Sequence, residues 1–271
     1  MILVWNGGEF ARAKGISAAD RGLLLGDGLF ETIRVEDGAP RRLSRHMRRL
    51  ASSARALDLP VPVSAEAVKA GILSLTGEAG LWAARLTVTR GPGGRGLDLP
   101  EPLEPAVLLS AAPYQVHDAP ARMVISDVTR SVRAVSSRHK TLSYIDNVEA
   151  RRRARALGAD DAVMLNGQGD IACASAANIF WIAGGRLYTP ALSCGALAGI
   201  TRACVMRQAG ALKIPVEAGR FSAAALQSAE AAFLTNALTG VRPVAGIGGR
   251  SLNAGHPMLV KLKTAEAKAG G

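Results

Sequence analysis

The chain has 271 residues, 48% of them hydrophobic and 20% charged, enough apolar material for one large packed core or two smaller ones. Thirty Gly and thirteen Pro fall well short of a low-complexity bias, and no apolar run approaches the roughly 18 residues of a membrane span. The start, Met-Ile-Leu-Val-Trp-Asn-Gly-Gly, has no basic n-region, and Cys173, Cys194 and Cys204 stand in no metal-ligand spacing. These features predict a soluble cytoplasmic protein with no resident metal.

Thirty-three Lys plus Arg against twenty-two Asp plus Glu give a net charge of +11, a balance that invites a phosphate-backbone partner. Aromatics are only 4%, however, and no stretch interleaves them with arginine as a stacking platform would. The basic residues concentrate in two helix-like runs, Arg41 to Arg55 and Arg151 to Arg155, which read first as solvated faces. Attraction of a small anionic substrate is the second use of such charge.

In chain order, residues 1–11 read as a short strand with a turn at Asn6-Gly7-Gly8. A glycine-punctuated segment runs from Asp20-Arg21-Gly22 to Gly26-Asp27-Gly28 and leads into a strand over Leu29–Val35. Ser44 is placed to cap a helix in which Met47, Leu50, Ala54 and Leu57 recur at helical steps, ended by Pro60 and Pro62. A second helix is predicted from Ser64 to about Leu75. Ala84, Leu86 and Val88 alternate with Arg85, Thr87 and Thr89 as in a half-buried strand, and Val107–Leu109 is another strand. Two prolines bound a linker at 113–120, which separates predicted domains 1–112 and 121–271. Beyond it come a strand over Met123–Val128 and a charged helix from about Ile145 to Leu157. A hairpin is predicted at Asn166-Gly167 between Asp161–Leu165 and Asp170–Ala174, and another across Gly184-Gly185. A helix starts near Gly199-Ile200-Thr201, and Ala231–Thr235 is a late strand. Antiparallel hairpins mixed with helices argue an α+β fold.

Gly91-Pro92-Gly93-Gly94-Arg95-Gly96 matches a dinucleotide-binding glycine pattern but runs into prolines instead of a helix, so that reading is rejected. No P-loop lysine, zinc-protease motif or nucleophile elbow appears, and the four histidines are scattered. Lys140 stands apart. It lies in a mostly small, polar stretch, Ser136 to Tyr144, just before a helix. A lysine amine that loses its proton in a partly desolvated site can condense with an aldehyde.

Around Lys140 the chain resembles the fold-type IV pyridoxal-phosphate family, which includes branched-chain and D-amino acid aminotransferases and aminodeoxychorismate lyase. The resemblance rests on Asp20-Arg21-Gly22 through Gly26-Asp27-Gly28-Leu29-Phe30-Glu31-Thr32, on His46-Met47-Arg48-Arg49-Leu50, and on His139-Lys140-Thr141-Leu142-Ser143-Tyr144 with Asp146-Asn147. It continues in Asn178-Ile179-Phe180, Thr189-Pro190 with Gly195, Gly199-Ile200-Thr201-Arg202, and Thr235-Asn236-Ala237-Leu238 with Pro243-Val244. It implies a two-domain α+β fold like that of D-amino acid aminotransferase, with a smaller N-terminal domain and a larger C-terminal one holding a mixed, barrel-like sheet. It also implies a homodimer and a pyridoxal 5′-phosphate cofactor bound covalently by Lys140, which afterwards moves the substrate proton.

Arg49 would hold the cofactor phosphate by a bidentate contact. Ile200 and Thr201 would offer backbone amides at a helix start, and Thr201 a hydroxyl, with Gly199 letting the backbone come close. Asn178, Asn236 and Ala237 complete the implied cofactor set, with Phe30, Arg95 and Leu97 on the substrate side and Thr32 assisting proton transfer.

Within the family, the run Arg90 to Gly96 and the triplet Asn236-Ala237-Leu238 are more similar to aminodeoxychorismate lyase than to the transaminases. Arg95 is then the candidate for a substrate carboxylate, while Leu97 stands where many lyases have tyrosine. The implied reaction converts 4-amino-4-deoxychorismate to 4-aminobenzoate and pyruvate, a step of folate biosynthesis. An aminotransferase acting on D- or branched-chain amino acids is the alternative, and a non-catalytic basic binding protein the second. Cys173 is the largest departure, because the family places a glutamate there to keep a proton on the pyridine nitrogen. A thiol with an ordinary pKa near 8.5 is mostly neutral at pH 7 and cannot do so.

Overall fold

Alternating apolar residues decide the architecture of the N-terminal part. The structure is a computed structural model describing residues 2–12 and 15–269; Met1, the first residue of the predicted strand 1–11, lies outside them. It divides into two compact units, one running up to Gln115 and including His139–Ser143, the other formed by Val116–Arg138 and the chain from Tyr144 onward.

The first unit contains β1 (Ile2–Trp5), β2 (Phe10–Arg12), α1 (Arg21–Leu25), β3 (Gly28–Glu36), β4 (Ala39–Pro40), α2 (Leu43–Ala56), α3 (Ala65–Thr76), β5 (Leu81–Thr89) and β6 (Ala106–Pro113). Its strands form one antiparallel sheet in the order β2-β1-β6-β5-β3-β4. β3 and β5 pair along their whole length, from Gly28 opposite Thr89 to Glu36 opposite Leu81. Leu29, Ile33 and Val35 of β3 and Ala84, Leu86 and Val88 of β5 pack with Leu50 and Ala54 of α2 and Val68 and Ile72 of α3. Each fully buried Leu, Ile or Val among them stabilises the fold by roughly 1.5–3 kcal/mol relative to exposure.

The expected helix start at Ser64 is observed: its hydroxyl accepts the Ala67 amide. Ser44 does not cap α2. The cap position falls two residues earlier, at Arg42, whose left-handed backbone (φ 55°) turns the chain out of β4, and no side chain among the described residues caps the helix. The short helix α1 has no counterpart among the sequence expectations; Asp20 caps it by accepting the Gly22 amide.

The second unit contains β7 (Ala121–Ile125), α4 (Val135–Arg138), α5 (Ile145–Ala156), β8 (Asp161–Leu165), β9 (Ile171–Ala174), β10 (Asn178–Ala183), β11 (Arg186–Pro190), α6 (Ile200–Ala211), β12 (Val216–Gly219), β13 (Ala231–Asn236), β14 (Gly240–Ile247), β15 (Arg250–Ser251) and α7 (Pro257–Lys268). These strands make a mixed sheet in the order β12-β11-β10-β13-β14-β7-β8-β9, with β15 added on β14. The β11/β12, β14/β7 and β7/β8 pairs are parallel.

β10 and β13 are buried on both faces, which explains their continuous apolar runs. Ile179, Trp181, Ala232 and Leu234 face one core. Phe180, Ile182, Ala231 and Phe233 face the other, under Val205 and Ala209 of α6 and Leu259 and Leu262 of α7. No helix among the described residues is long and apolar enough to cross a membrane.

The Gly184-Gly185 hairpin is as predicted, with both glycines at positive φ (54° and 71°). The Asn166-Gly167 turn is not the predicted two-residue type. Gly169, not Gly167, takes the left-handed conformation (φ 81°), its amide bonds to Asn166 O, and β9 starts only at Ile171. The sequence alone puts residues 139–143 inside the 121–271 domain, whereas main-chain bonds fasten them to β3: Phe30 N donates to Lys140 O (2.9 Å) and Leu142 N to Gly28 O (3.0 Å).

Candidate functional site

In the first unit, Lys140 is held at both the main-chain and side-chain level. Leu29 and Thr141 form an antiparallel bridge beside the two main-chain bonds to β3. Glycine is required at 28, since a Cβ there would lie 2.5 Å from Val88 O and 2.8 Å from Leu142 Cδ1. The Lys140 Nζ lies 4.0 Å from the centre of the Phe30 ring, and the Arg85 guanidinium carbon 3.7 Å from that same centre. Two cations therefore share one aromatic ring. Thr32, half-buried on the same strand face, sits opposite Arg85 in the β3/β5 register.

The other phase of β3 carries Glu31, whose side chain is 1% exposed. Its two oxygens receive Arg49 Nε (2.8 Å) and Nη2 (2.6 Å), and His46 Nδ1 lies 2.7 Å from Oε2. Burial works to raise the Glu31 pKa, but the hydrogen bonds and charges of Arg49 and His46 outweigh it and hold the carboxyl below its ordinary value. The bidentate partner of Arg49 is thus a carboxylate of its own unit. His139 Nδ1 lies 3.1 Å from the buried Ser53 hydroxyl of α2.

Arg95 and Leu97 lie in the exposed loop after β5, Leu97 with 79% of its surface accessible. Sequence reasoning misses Glu31 and Arg85 as site residues. The signal for Glu31 is a carboxylate in the buried phase between Leu29 and Ile33, with a basic helix following. For Arg85 it is a cation one strand over from Thr32.

In the second unit, α6 begins directly after Gly199, its cap position, and no side chain caps it among the described residues. The amides of its first turn, with the helix dipole behind them, suit an anion. Asn178 shapes this entry: its amide donates to Leu197 O (2.9 Å), and a Cβ on residue 199 would stand 2.0 Å from its Oδ1. The Thr201 hydroxyl donates to Asn236 O (2.9 Å), so it is engaged with the protein itself. Asn236 Oδ1 accepts the Leu238 and Thr239 amides and the Thr239 hydroxyl, folding the β13–β14 turn in which Ala237 lies half-buried.

Cys173 lies on β9, opposite Met164 and buried with Ala150, Ala154 and Ala162. Burial pushes its thiol up to about 11; Asp161 adds to the rise and Arg130 opposes it. At neutral pH it is an uncharged S–H group. Asp170 does not replace the missing carboxylate at this position, because Arg220 Nε (3.1 Å) and Nη2 (2.9 Å) hold it. Arg130 is buried and donates to Gly195 O, Asn147 Oδ1 and Ser136 O, while Asn147 donates to Ser175 O. This network ties α4 and α5 to the Gly195 turn and to the residue that follows β9.

The family model described as amino-transferase class IV matches residues 28–247. A Methanocaldococcus jannaschii protein named as a branched-chain-amino-acid aminotransferase is 32% identical over 92% of this chain and 89% of its own length. The aminodeoxychorismate lyase of Bacillus subtilis is 27% identical over 89% of this chain and 85% of its own. Among solved structures, the T.th. branched-chain amino acid aminotransferase with pyridoxamine 5′-phosphate superposes with a TM-score of 0.88 at 26% identity, covering 98% of this chain and 93% of that one.

Proposed function

The chain belongs to the amino-transferase class IV family, and from that premise we propose that it is a lyase converting 4-amino-4-deoxychorismate to 4-aminobenzoate and pyruvate. Its cofactor is pyridoxal 5′-phosphate, and the residues present fit that group. An amine stands against an aromatic ring in one unit, and an uncapped helix start with a mandatory glycine offers amides to an anion in the other. When bound, the cofactor supplies an electron sink for the carbon that bears the substrate amine.

In this reading Lys140 carries the cofactor and then takes the proton from that carbon. Thr32 protonates the departing oxygen as the bond to the enolpyruvyl group breaks, and the released enol becomes pyruvate. The amides of Ile200 and Thr201 hold the phosphate, with Asn178, Gly199, Asn236 and Ala237 shaping the turns around it; Arg49, whose Nε and Nη2 are taken by Glu31, adds its charge to that group without the bidentate contact the sequence suggests. Phe30 and Leu97 line the substrate, and Arg95 takes a substrate carboxylate.

The observation that carries the lyase reading is Cys173, a buried thiol pushed up to about 11. A neutral thiol does little to keep a proton on the ring nitrogen. Transamination needs strong charge delocalisation onto that ring, because the proton returns to the cofactor. Elimination needs less, because losing the proton and the enolpyruvyl group makes the product ring aromatic. The second reading, an aminotransferase, is favoured by the 32% identity to the Methanocaldococcus jannaschii protein and by Arg85, a cation that shares the Phe30 ring with Lys140 and is suited to an amino-acid carboxylate.

The deciding experiment supplies cofactor-loaded protein with 4-amino-4-deoxychorismate, then with D-alanine or leucine plus 2-oxoglutarate. Aminobenzoate fluorescence without keto-acid exchange is the expected result; keto-acid exchange without aminobenzoate overturns the reading. The reading also makes the functional unit a homodimer, which light scattering after size exclusion tests.

A further inference from the structure

Arg21 and Arg90 converge on one carboxylate. Both Nε atoms lie 2.9 Å from Oδ2 of Asp27, and their side chains are only 5% and 6% exposed. Each guanidinium then spends its other nitrogens on main chain. Arg90 donates to Asp58 O (2.9 Å) and Leu57 O (2.8 Å) at the end of α2. Arg21 donates from Nη1 to Asp98 O (3.0 Å) and Gly96 O (3.5 Å), and from Nη2 to Leu97 O (3.1 Å).

Three successive carbonyls of one loop thus turn inward onto a single planar cation. The loop between β5 and β6 has no strand or helix of its own over residues 93–105, and residues 94–99 are exposed. Gly93 packs on the same guanidinium stem, since a Cβ there would stand 2.7 Å from Arg21 Cδ. Asp27, the shared anchor, is itself fixed by main-chain bonds: its amide donates to Arg21 O (3.2 Å), and its carbonyl accepts Arg90 N (3.1 Å). Gly28, the next residue, receives the Leu142 amide two positions from Lys140.

We propose that Arg21 is a positioning residue: its clamp on the carbonyls of Gly96, Leu97 and Asp98 holds Arg95 and Leu97 ready for an anionic substrate. The proposal rests on the reading that Arg95 receives a substrate carboxylate. The physical gain is preorganisation. The clamp orders the loop when the chain folds, so substrate binding does not bear that cost. Lysine in place of Arg21 keeps the charge but lacks the planar fork, so it cannot reach Asp27 and three carbonyls together.

The test uses cofactor-loaded wild type, Arg21→Lys and Asp27→Asn. Trypsin cleaves after arginine, so the peptide ending at Arg95, followed by mass spectrometry under native conditions, reports the loop directly. Cleavage there is expected to rise about tenfold in Arg21→Lys, the equivalent of one lost charge-assisted hydrogen bond. Asp27→Asn, which keeps Arg21 but weakens its anchor, is expected to give a smaller rise and serves if Arg21→Lys does not fold. The KM for 4-amino-4-deoxychorismate should rise by about the same factor while kcat stays within about twofold.

Unchanged cleavage at Arg95 in both variants overturns the clamp. Faster cleavage with a fallen kcat and an unchanged KM overturns its role in substrate binding. Wild type that forms no aminobenzoate defeats the lyase reading, and the proteolysis then decides the clamp by itself.

Discussion

Replacing Glu31 with glutamine changes one atom and one charge at a densely bonded carboxylate of the first unit. The native oxygens take three contacts of 2.6–2.8 Å from Arg49 and His46 at 1% side-chain exposure. Glutamine offers one acceptor oxygen and turns an NH2 donor toward groups that are themselves donors. Removing one partner of a buried ion pair costs about 3–5 kcal/mol, and relief of the carboxylate's own desolvation puts this case near the low end, about 3 kcal/mol. At about 2–4 °C per kcal/mol for chains of this size, the melting midpoint of Glu31→Gln should fall by roughly 6–12 °C.

The pH dependence has a definite sign. The folded Glu31 carboxyl titrates below its ordinary value, so its contribution is complete above about pH 4.3 and is lost as the pH falls through the folded-state value. Urea unfolding at pH 7 and near pH 3, followed by circular dichroism, should show a gap between wild type and variant that closes in acid. A gap below about 1 kcal/mol at pH 7, or one that persists undiminished in acid, refutes the reasoning.

Cys173 has the opposite sign. With its thiol pushed up to about 11 from 9.0, the folded protein keeps a proton that the unfolded chain releases, so stability is complete below about pH 9. It then falls by about 2–3 kcal/mol as the pH rises through 11, and Cys173→Ala should lack that part of the alkaline decline in urea titrations. Thr201→Val should cost about 1 kcal/mol for the bond to Asn236 O while changing cofactor affinity less than about threefold; a large loss of affinity by fluorescence titration would mean the hydroxyl serves the phosphate. Gly199→Ala should destabilise by about 1–3 kcal/mol, because the new Cβ falls 2.0 Å from Asn178 Oδ1. Adding Asn178→Ala should return part of that loss in a double-mutant cycle, and strict additivity would argue against the clash.

Local rules recover what local physics controls. Alternation at Ala84–Thr89 places β5, Ser64 announces α3, and paired glycines at 184–185 mark a turn in which both residues need positive φ. The failures have physical causes as well. Asn166-Gly167 carries the signature of a two-residue turn, but the Asn166 side chain accepts the Gln168 and Asp170 amides and moves the left-handed residue to Gly169. Ser44 has the chemistry of a cap, and nothing in the sequence reveals that Arg42 turns left-handed first.

The sequence singles out a position where a motif names its own chemistry, as at Lys140, and passes over one whose surroundings depend on a partner far along the chain. Glu31 matters through Arg49, eighteen residues on, and Arg85 through its position over Phe30. Thr201 reads in sequence as a phosphate donor, whereas its hydroxyl is directed to a strand end thirty-five residues away.

The stitch of five residues, His139 to Ser143, that joins the first unit while its flanks belong to the second has an evolutionary consequence. A gene cut between the units would give one product without Lys140 and another carrying it without the strand and aromatic ring that it contacts. Neither product would keep Lys140 against Phe30. The two are bound to be inherited as a single piece if that contact is to survive, and a circular permutation that preserves it is expected to open the chain away from this stitch.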